Sequence, residues 1–262
     1  MGILNVTPDS FAERGPRLDL AVTIEAALKM ESDGADLVDI GGESTRPGAE
    51  PLPKEDEFAR VLPLIRGLAG RLRIPISIDT YKADVARAAL DAGACIVNDV
   101  SGLHREPDLA RVVEQHGAAL VVMHSRGTPA TMAGRAVYGD VVAEVVAELS
   151  LSVGLAVGAG VPVDRIVVDP GVGFAKRPGH SYGVLARLPE IAAALGRPML
   201  VGASRKSFMR EALNDRPALE RDWGTAAAVA AAVLAGAHIV RVHAVAEMVQ
   251  VVRVAEEIRR HG

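Results

Sequence analysis

The sequence holds a single cysteine, Cys95, in 262 residues. One thiol can form neither an internal disulfide framework nor a cysteine-built zinc site, and it suits a reducing compartment. Aromatic residues make up only 3%, too few for the stacking platforms that grip single-stranded nucleic acid. No sign of charge dominates: 29 Lys and Arg stand against 33 Asp and Glu, a net charge of −4. With a pI near 6.0, nucleic acid is excluded as the principal partner. Long apolar runs are scarce as well. The stretch 225–240 is mostly alanine, includes His238, and falls short of the ~20 residues that span a bilayer. Residues 141–161 are interrupted by Glu144 and Glu148, and residues 1–9 have neither the basic region nor the apolar length of a signal peptide. These features predict a soluble, cytoplasmic protein that binds no membrane.

Several catalytic signatures are missing too. Gly171-Val172-Gly173 runs on to Lys176 where a dinucleotide fingerprint needs a third glycine, and Arg205 precedes Lys206 where a Walker A element needs glycine. No H-e-x-x-H set and no Ser–His–acid order stands out, which disfavours a protein-built zinc site and triad hydrolysis.

Apolar residues reach 49% and charged residues 24%, ample for a full core. Short Val/Ile/Leu runs recur: 2–6, 36–40, 75–79, 95–98, 119–123, 166–169, 198–201 and 239–243. Most are continuously apolar, as in parallel strands covered on both faces. Helical patterns alternate with them, over 18–32, 54–71, 82–92, 107–116, 140–158, 181–195, 218–235 and 245–260. Ala83, Val85, Ala86, Ala89 and Leu90 share one face at the helical period, and Gly34, Gly93, Gly117 and Gly236 sit where helices end. No low-complexity linker divides the chain, and no repeat appears beyond the β/α alternation. Eight β/α units in 262 residues predict an α/β fold, a (β/α)₈ TIM barrel forming a single domain over 1–262, with its active site at the C-terminal ends of the strands.

The residues at those ends are polar throughout: Asn5, Asp39, Asp79, Asn98, His124, Asp169, Ser204 with Lys206, and Arg241 with His243. One polar strand end means little, but a complete ring of them points to a site. Asp79, Asn98 and Asp169 suit the N–H donors and ring acceptors of a flat heterocycle. Lys206, Arg241, His243 and Arg46 suit phosphate oxygens. Three loops rich in Gly, Ser, Thr and Pro, at 5–11, 41–48 and 202–207, offer backbone N–H groups to an anion. The residues therefore describe a site for a heterocycle that carries a phosphate or pyrophosphate.

At this level the chain resembles the dihydropteroate synthases. The matching segments are Gly2-Ile3-Leu4-Asn5-Val6-Thr7-Pro8-Asp9-Ser10-Phe11, Gly42-Glu43-Ser44-Thr45-Arg46-Pro47-Gly48, Ser77-Ile78-Asp79-Thr80, Val97-Asn98-Asp99-Val100, Val122-Met123-His124, Asp169-Pro170-Gly171, Ser204-Arg205-Lys206-Ser207 and Arg241-Val242-His243. They run in family order across nearly the whole chain. The resemblance implies a transferase of folate biosynthesis. It would join 6-hydroxymethyl-7,8-dihydropterin diphosphate to 4-aminobenzoate and release pyrophosphate, with Mg²⁺ as cofactor, in a homodimer open to sulfonamides. Residue by residue, Asp79, Asn98, Met123, Asp169 and Lys206 would line the pterin pocket. Arg241 would pack on the pterin and, with His243, hold phosphate oxygens, and Asn5 would meet the metal. Thr45, Arg46 and Pro47, with Phe174 and Ser207, would shape the aminobenzoate site. The chain departs from the family pattern at Ala12-Glu13-Arg14-Gly15, Ala175, Ser181 and Ala244. Two other readings stay open here: a pterin-binding methyltransferase barrel that passes a methyl group to a corrinoid protein, and a catalytically silent pterin-binding paralogue.

Overall fold

Eight short parallel strands alternate with helices along the chain: β1 (Gly2–Asn5), β2 (Val38–Gly41), β3 (Ile76–Asp79), β4 (Ile96–Asp99), β5 (Ala119–Met123), β6 (Ile166–Asp169), β7 (Leu200–Val201) and β8 (Ile239–Val240). The helices are α1 (Leu20–Ser32), α2 (Lys54–Leu68), α3 (Ala83–Asp91), α4 (Leu109–Gln115), α5 (Val141–Gly158), α6 (Pro178–Ala186), α7 (Leu188–Leu195), α8 (Asp222–Leu234) and α9 (Val245–His261). This computed structural model describes residues 1–6, 20–46 and 48–262. Most of the first expected loop, Thr7 to Phe11, the variant residues 12–15, and Pro47 lie outside the described residues.

Strands β1 to β6 pair in sequence order and β7 pairs with β8. Single parallel bridges, Val168 to Met199 and Gly2 to Val242, join the two sheets at both seams. At the second seam the Ile3 amide donates to the Val242 carbonyl at 2.9 Å, and the Val242 amide donates to Met1 at 3.0 Å. A sheet closed this way leaves no edge, so the barrel expected from the β/α count is realised.

The alternation of side chains along each strand then sorts the residues. Outward-facing Val38, Ile40, Ile78, Val97, Leu120, Val122, Ile166 and Val168 are buried with Val61, Leu64, Ile65 and Val85 of the helices. Inward-facing Met1, Val121 and Leu200 form a separate plug with Leu37, Ile96, Val167 and Ile239. Two or four residues further along the same strands, the period of two brings Asn5, Asp39, Asn98, Met123, Asp169 and Arg241 to the inner face. The polar ring is thus the next layer above an apolar plug.

Most helices begin and end within three residues of the expected bounds, and two depart further. The single helix foreseen over 181–195 is two, α6 and α7, with Pro189 in the first turn of α7. Proline there lacks the N–H for a bond to the preceding turn and clashes with the carbonyl four residues back, so the helix must restart. The helix foreseen from 218 begins at Asp222, after a separate turn of 3₁₀-helix at Ala218–Glu220. Helix α5 is long and apolar enough by length and composition to cross a bilayer. It buries Val142, Val145, Leu149, Ser152 and Ala156 and packs on β5, β6, α6 and α7.

Candidate active site

Arg241 organises one side of the barrel mouth. Its Nε donates to Asp39 Oδ2 at 2.6 Å and one terminal nitrogen donates to Asp79 Oδ2 at 2.8 Å. Asp39 Oδ2 also accepts from Asn98 Nδ2 at 3.0 Å. Asp39 is fully buried, so it anchors Arg241 and Asn98 from below while Asp79 stands at the strand end. Burial pushes the Asp79 carboxyl up to about 7, against the pull of Arg241 and helped by the like charges of Asp39, Glu57 and Asp99. One guanidinium shared by two carboxylates cannot satisfy both, and Asp79 carries the deficit.

Asp169 and Lys206 form the opposite side. A side chain begun on Gly202 would lie 3.8 Å from Lys206 Nζ and 3.9 Å from Asp169 Oδ2, so both reach the same point above β7. Asp169 Oδ1 accepts the Gly171 amide at 2.7 Å. Burial raises its carboxyl, while Lys206, that amide and Lys176 oppose the rise. Burial and Arg241 lower the Lys206 ammonium to about 8 against the pull of Asp169. Lys206 Nζ donates to the Val172 carbonyl and lies 4.5 Å from the Phe174 ring centroid. The Asp169–Phe174 loop and Lys206 are therefore interlocked. Gly171, at φ +67, is required there because a Cβ would come within 1.9 Å of the His124 carbonyl oxygen.

His243 is held from the side. The Ser204 hydroxyl accepts the His243 amide at 3.2 Å and meets Nδ1 at 2.9 Å, leaving Nε2 without a partner among the described residues. Burial, with Arg205 and Arg241 nearby, lowers the imidazole to about 4. His243 thus serves as a neutral hydrogen-bonding group at physiological pH rather than as a cation.

The loop after β2 is tethered at its base. Glu43 accepts from Lys82 Nζ, from the Tyr81 hydroxyl at 3.2 Å and from the Leu52 amide at 3.2 Å. Lys82 also donates to buried Glu57, and the Arg105 guanidinium stacks 3.5 Å over the Tyr81 ring. Further along, the Gly48 amide donates to Pro129 at 3.0 Å. Thr45 and Arg46 lie between these tethers, and Arg46 forms no ion pair among the described residues. Met123 is buried on the inner face and Ser207 is exposed at the start of a 3₁₀ turn. Asn5 is half-buried, and no hydrogen bond engages its side-chain amide among the described residues.

Asp79, Asn98, Asp169, Lys206, Arg241 and His243 converge as the sequence implied, and Asp39 joins them as an anchor. His124 does not. It follows the last residue of β5 and turns outward to α5. The Glu43–Lys82–Glu57 cluster was also missed: its members lie on three different elements, and no local spacing marks them. Two of the departures from the family pattern, Ala175 and Ser181, fall on the β6 loop and in the first turn of α6. Ser181 Oγ accepts the Gly173 amide at 3.2 Å, so a short hydroxyl holds the β6 loop. Ala175 adopts φ +46, the left-handed region that glycine occupies without strain.

The sequence pattern of the pterin-binding enzymes matches residues 1–243. The chain belongs to that family. A dihydropteroate synthase from Synechocystis is 47% identical over 260 residues, covering 99% of this chain and 90% of the relative. The crystal structure of Yersinia pestis dihydropteroate synthase in a sulfonamide drug complex superposes with a TM-score of 0.94 at 38% identity, covering 99% of this chain and 94% of that one. The Xanthomonas albilineans enzyme with 4-aminobenzoic acid gives 0.92 at 40% identity, covering 99% and 92%. Within the pterin-binding enzymes, this chain takes its place among the dihydropteroate synthases.

Proposed function

We propose that the barrel mouth joins 6-hydroxymethyl-7,8-dihydropterin diphosphate to 4-aminobenzoate and releases pyrophosphate. The observation that carries this reading is the pair of carboxylates, half-buried Asp79 and buried Asp169, each set beside a half-buried cation, Arg241 or Lys206, on opposite sides of one polar mouth. A dihydropterin presents N–H donors along one edge, and Asp79, Asp169 and Asn98 supply matching acceptors and an amide. Lys206 closes the ring face beside Phe174. The bond that breaks joins the pterin CH₂ to a diphosphate oxygen, and the electron pair leaves with pyrophosphate. The bond that forms joins that carbon to the aniline nitrogen, which then loses a proton. The electron-rich pterin spreads the positive charge that develops, and the Asp79 and Asp169 carboxyls, when ionised, favour it electrostatically. No protein nucleophile enters these steps.

His243 Nε2 and the guanidinium of Arg241 are the donors nearest the leaving group. Thr45, Arg46, Pro47, Phe174 and Ser207 shape the aminobenzoate side, so that sulfonamides compete there. Mg²⁺ fits the donor set. The described residues hold no cluster of three His, Cys, Asp or Glu that could bind an ion unaided, whereas the amide oxygen of Asn5, which no hydrogen bond engages among the described residues, offers one hard ligand and diphosphate oxygens would supply others. When bound, the ion would stabilise charge on departing pyrophosphate. A cytoplasmic homodimer completes the proposal. Helices α8 and α9 pack side by side and leave Trp223 (89% exposed) on one and Val254 (62%) and Ile258 (57%) on the other in solvent, apolar side chains that suit contact with a second copy.

The test is a coupled assay of pyrophosphate release. Release should require both substrates and fall steeply in Asp169→Asn and Asp79→Asn, whose folds remain intact. Loss of a buried acceptor costs ~1–3 kcal/mol of pterin binding. Release without aminobenzoate, or unchanged pterin affinity in both variants, would overturn the reading.

A further inference from the structure

Lys176 and His124 are buried, at 8% and 3% exposure, and neither has a part in the chemistry above. Lys176 Nζ lies 2.7 Å from His124 Nδ1 and 3.2 Å from the Phe174 carbonyl oxygen. An ammonium has donors only, so Nδ1 must accept and the ring proton resides on Nε2. Nε2 in turn donates to Glu148 Oε2 of α5 at 3.1 Å. Glu148 is clamped by Arg126, which also holds Glu144. Each group in this chain therefore has one definite role, and the row runs from the outer helix to the underside of the loop after β6.

That loop is fitted to the row at several points. The His124 amide donates to the Asp169 carbonyl at 2.8 Å. A side chain on Gly171 would meet Lys176 Nζ at 3.4 Å, so the ammonium sits under the loop's first turn. The Tyr138 hydroxyl donates to the Ala175 carbonyl at 2.9 Å, fixing the left-handed residue that precedes Lys176. The same loop supplies Asp169, the Val172 carbonyl that receives Lys206, and Phe174.

We propose that Glu148, His124 and Lys176 form a buried strut that positions the β6 loop for pterin binding, with Lys176 and His124 as positioning residues. The proposal rests on the pterin reading above. The groups that face Lys176 are His124 from the end of β5, Tyr138 and Arg126 from the loop that follows, Glu148 from α5, Asp169 from β6, His180 from α6 and Lys206 from the loop after β7. Of these, Asp169 and Glu148 favour its charged form, while burial, Lys206 and Arg126 lower it to about 7. The strut is then strongest below that pH, where Lys176 is charged and donates to both acceptors.

The test is fluorescence titration of 6-hydroxymethylpterin, with thermal melting as the control for folding. Lys176→Met should raise the Kd about tenfold, since a charge-assisted donor to two acceptors is lost. His124→Leu should do the same. His124→Asn keeps an acceptor close to the Nδ1 position and should recover most of the affinity. Above pH 7, where Asp79 is ionised, wild-type affinity should fall as Lys176 loses its proton. Lys176→Arg should bind well and lose the fall centred near pH 7, keeping only the later one as Lys206, lowered to about 8, gives up its proton, because a guanidinium stays charged. Absence of pterin binding by the wild-type protein would overturn the functional reading and the strut together. If the wild type binds while Lys176→Met and His124→Leu stay within about twofold of it, the strut alone is refuted. So is it if Lys176→Arg keeps the wild-type fall. Should Lys176→Met fail to fold, Lys176→Arg and His124→Asn decide the question.

Discussion

Lys82→Met isolates the tether beneath the β2 loop. Lys82 Nζ is the one ammonium between two carboxylates, with side-chain exposures of 9% for Lys82, 7% for Glu43 and 1% for Glu57. Methionine fills nearly the same volume, so the change is one of charge rather than shape. Breaking a buried ion pair by removing one partner costs about 3–5 kcal/mol, because the remaining charge stays desolvated. Unfolding entropy of about 2 cal/mol/K per residue, over 262 residues, converts that cost into a melting point lower by roughly 6–9 °C. The sign with pH follows from Glu57, whose carboxyl is already pushed up by burial against the pull of Lys82. Without Lys82 it rises further above its unfolded value. Its ionisation then opposes folding at neutral pH, and the penalty is lost as pH falls and the carboxyl takes a proton. Differential scanning calorimetry at pH 8 and pH 5 should show the deficit shrinking on acidification, and Lys82→Met/Glu57→Gln should regain part of it at pH 8. The KM for 4-aminobenzoate should rise as well, since Glu43 anchors the start of the loop that carries Thr45 and Arg46. A deficit under about 2 °C, or one equal at both pH values, would refute the view that these carboxylates depend on Lys82.

Ala175→Gly should raise the melting point by 1–2 °C, worth about 0.5–1 kcal/mol, because Ala175 sits at φ +46; no gain would mean that the loop already relieves the strain. Ala244→Ser should stabilise by about 1 kcal/mol, read by urea unfolding, because Ala244 occupies the N-cap of α9 without a side-chain cap and Glu247 waits in the first turn. Asp79, pushed up to about 7, is an ionised acceptor only above that pH, so pterin affinity should rise as pH climbs from 6 towards 7. The rise should vanish in Asp79→Asn when measured by the same fluorescence titration.

The fold was legible because most strands are short apolar runs and several helices carry an apolar face at the helical period. Both signals are local, and they survive in a single sequence. The polar ring was legible for the same reason, since a polar residue ending an apolar run marks where a strand surfaces. The helix break at Arg187 was missed although Pro189 signalled it, because the apolar pattern continued through. What could not be read were pairings set by barrel closure. Asp39 and Arg241 are 202 positions apart and meet only because β8 returns beside β1. His124 looked like any other strand end, and only the outward turn after Met123, with α5 and the β6 loop behind it, takes it out of the mouth.

The charges of the mouth explain why its loops matter. Asp39, Asp79 and Asp169 face only two cations in the mouth, Arg241 and Lys206, while His243 is neutral. A pterin ring adds hydrogen bonds and no net charge, so the preformed residues suffice to receive it. The diphosphate adds several negative charges, and Arg241 is already committed to two carboxylates. Arg46 is charged, lies outside any ion pair among the described residues, and acts on His243 electrostatically. On the proposed function, Arg46 and the Mg²⁺ ion are the charges left to meet the diphosphate, and the tether at Glu43 fixes where the β2 loop begins. Aminobenzoate, itself an anion, should therefore bind weakly to the free protein and much more tightly once pterin, pyrophosphate and Mg²⁺ are present, as calorimetric titration with and without them would read; equal affinity in both conditions would mean a preformed pocket.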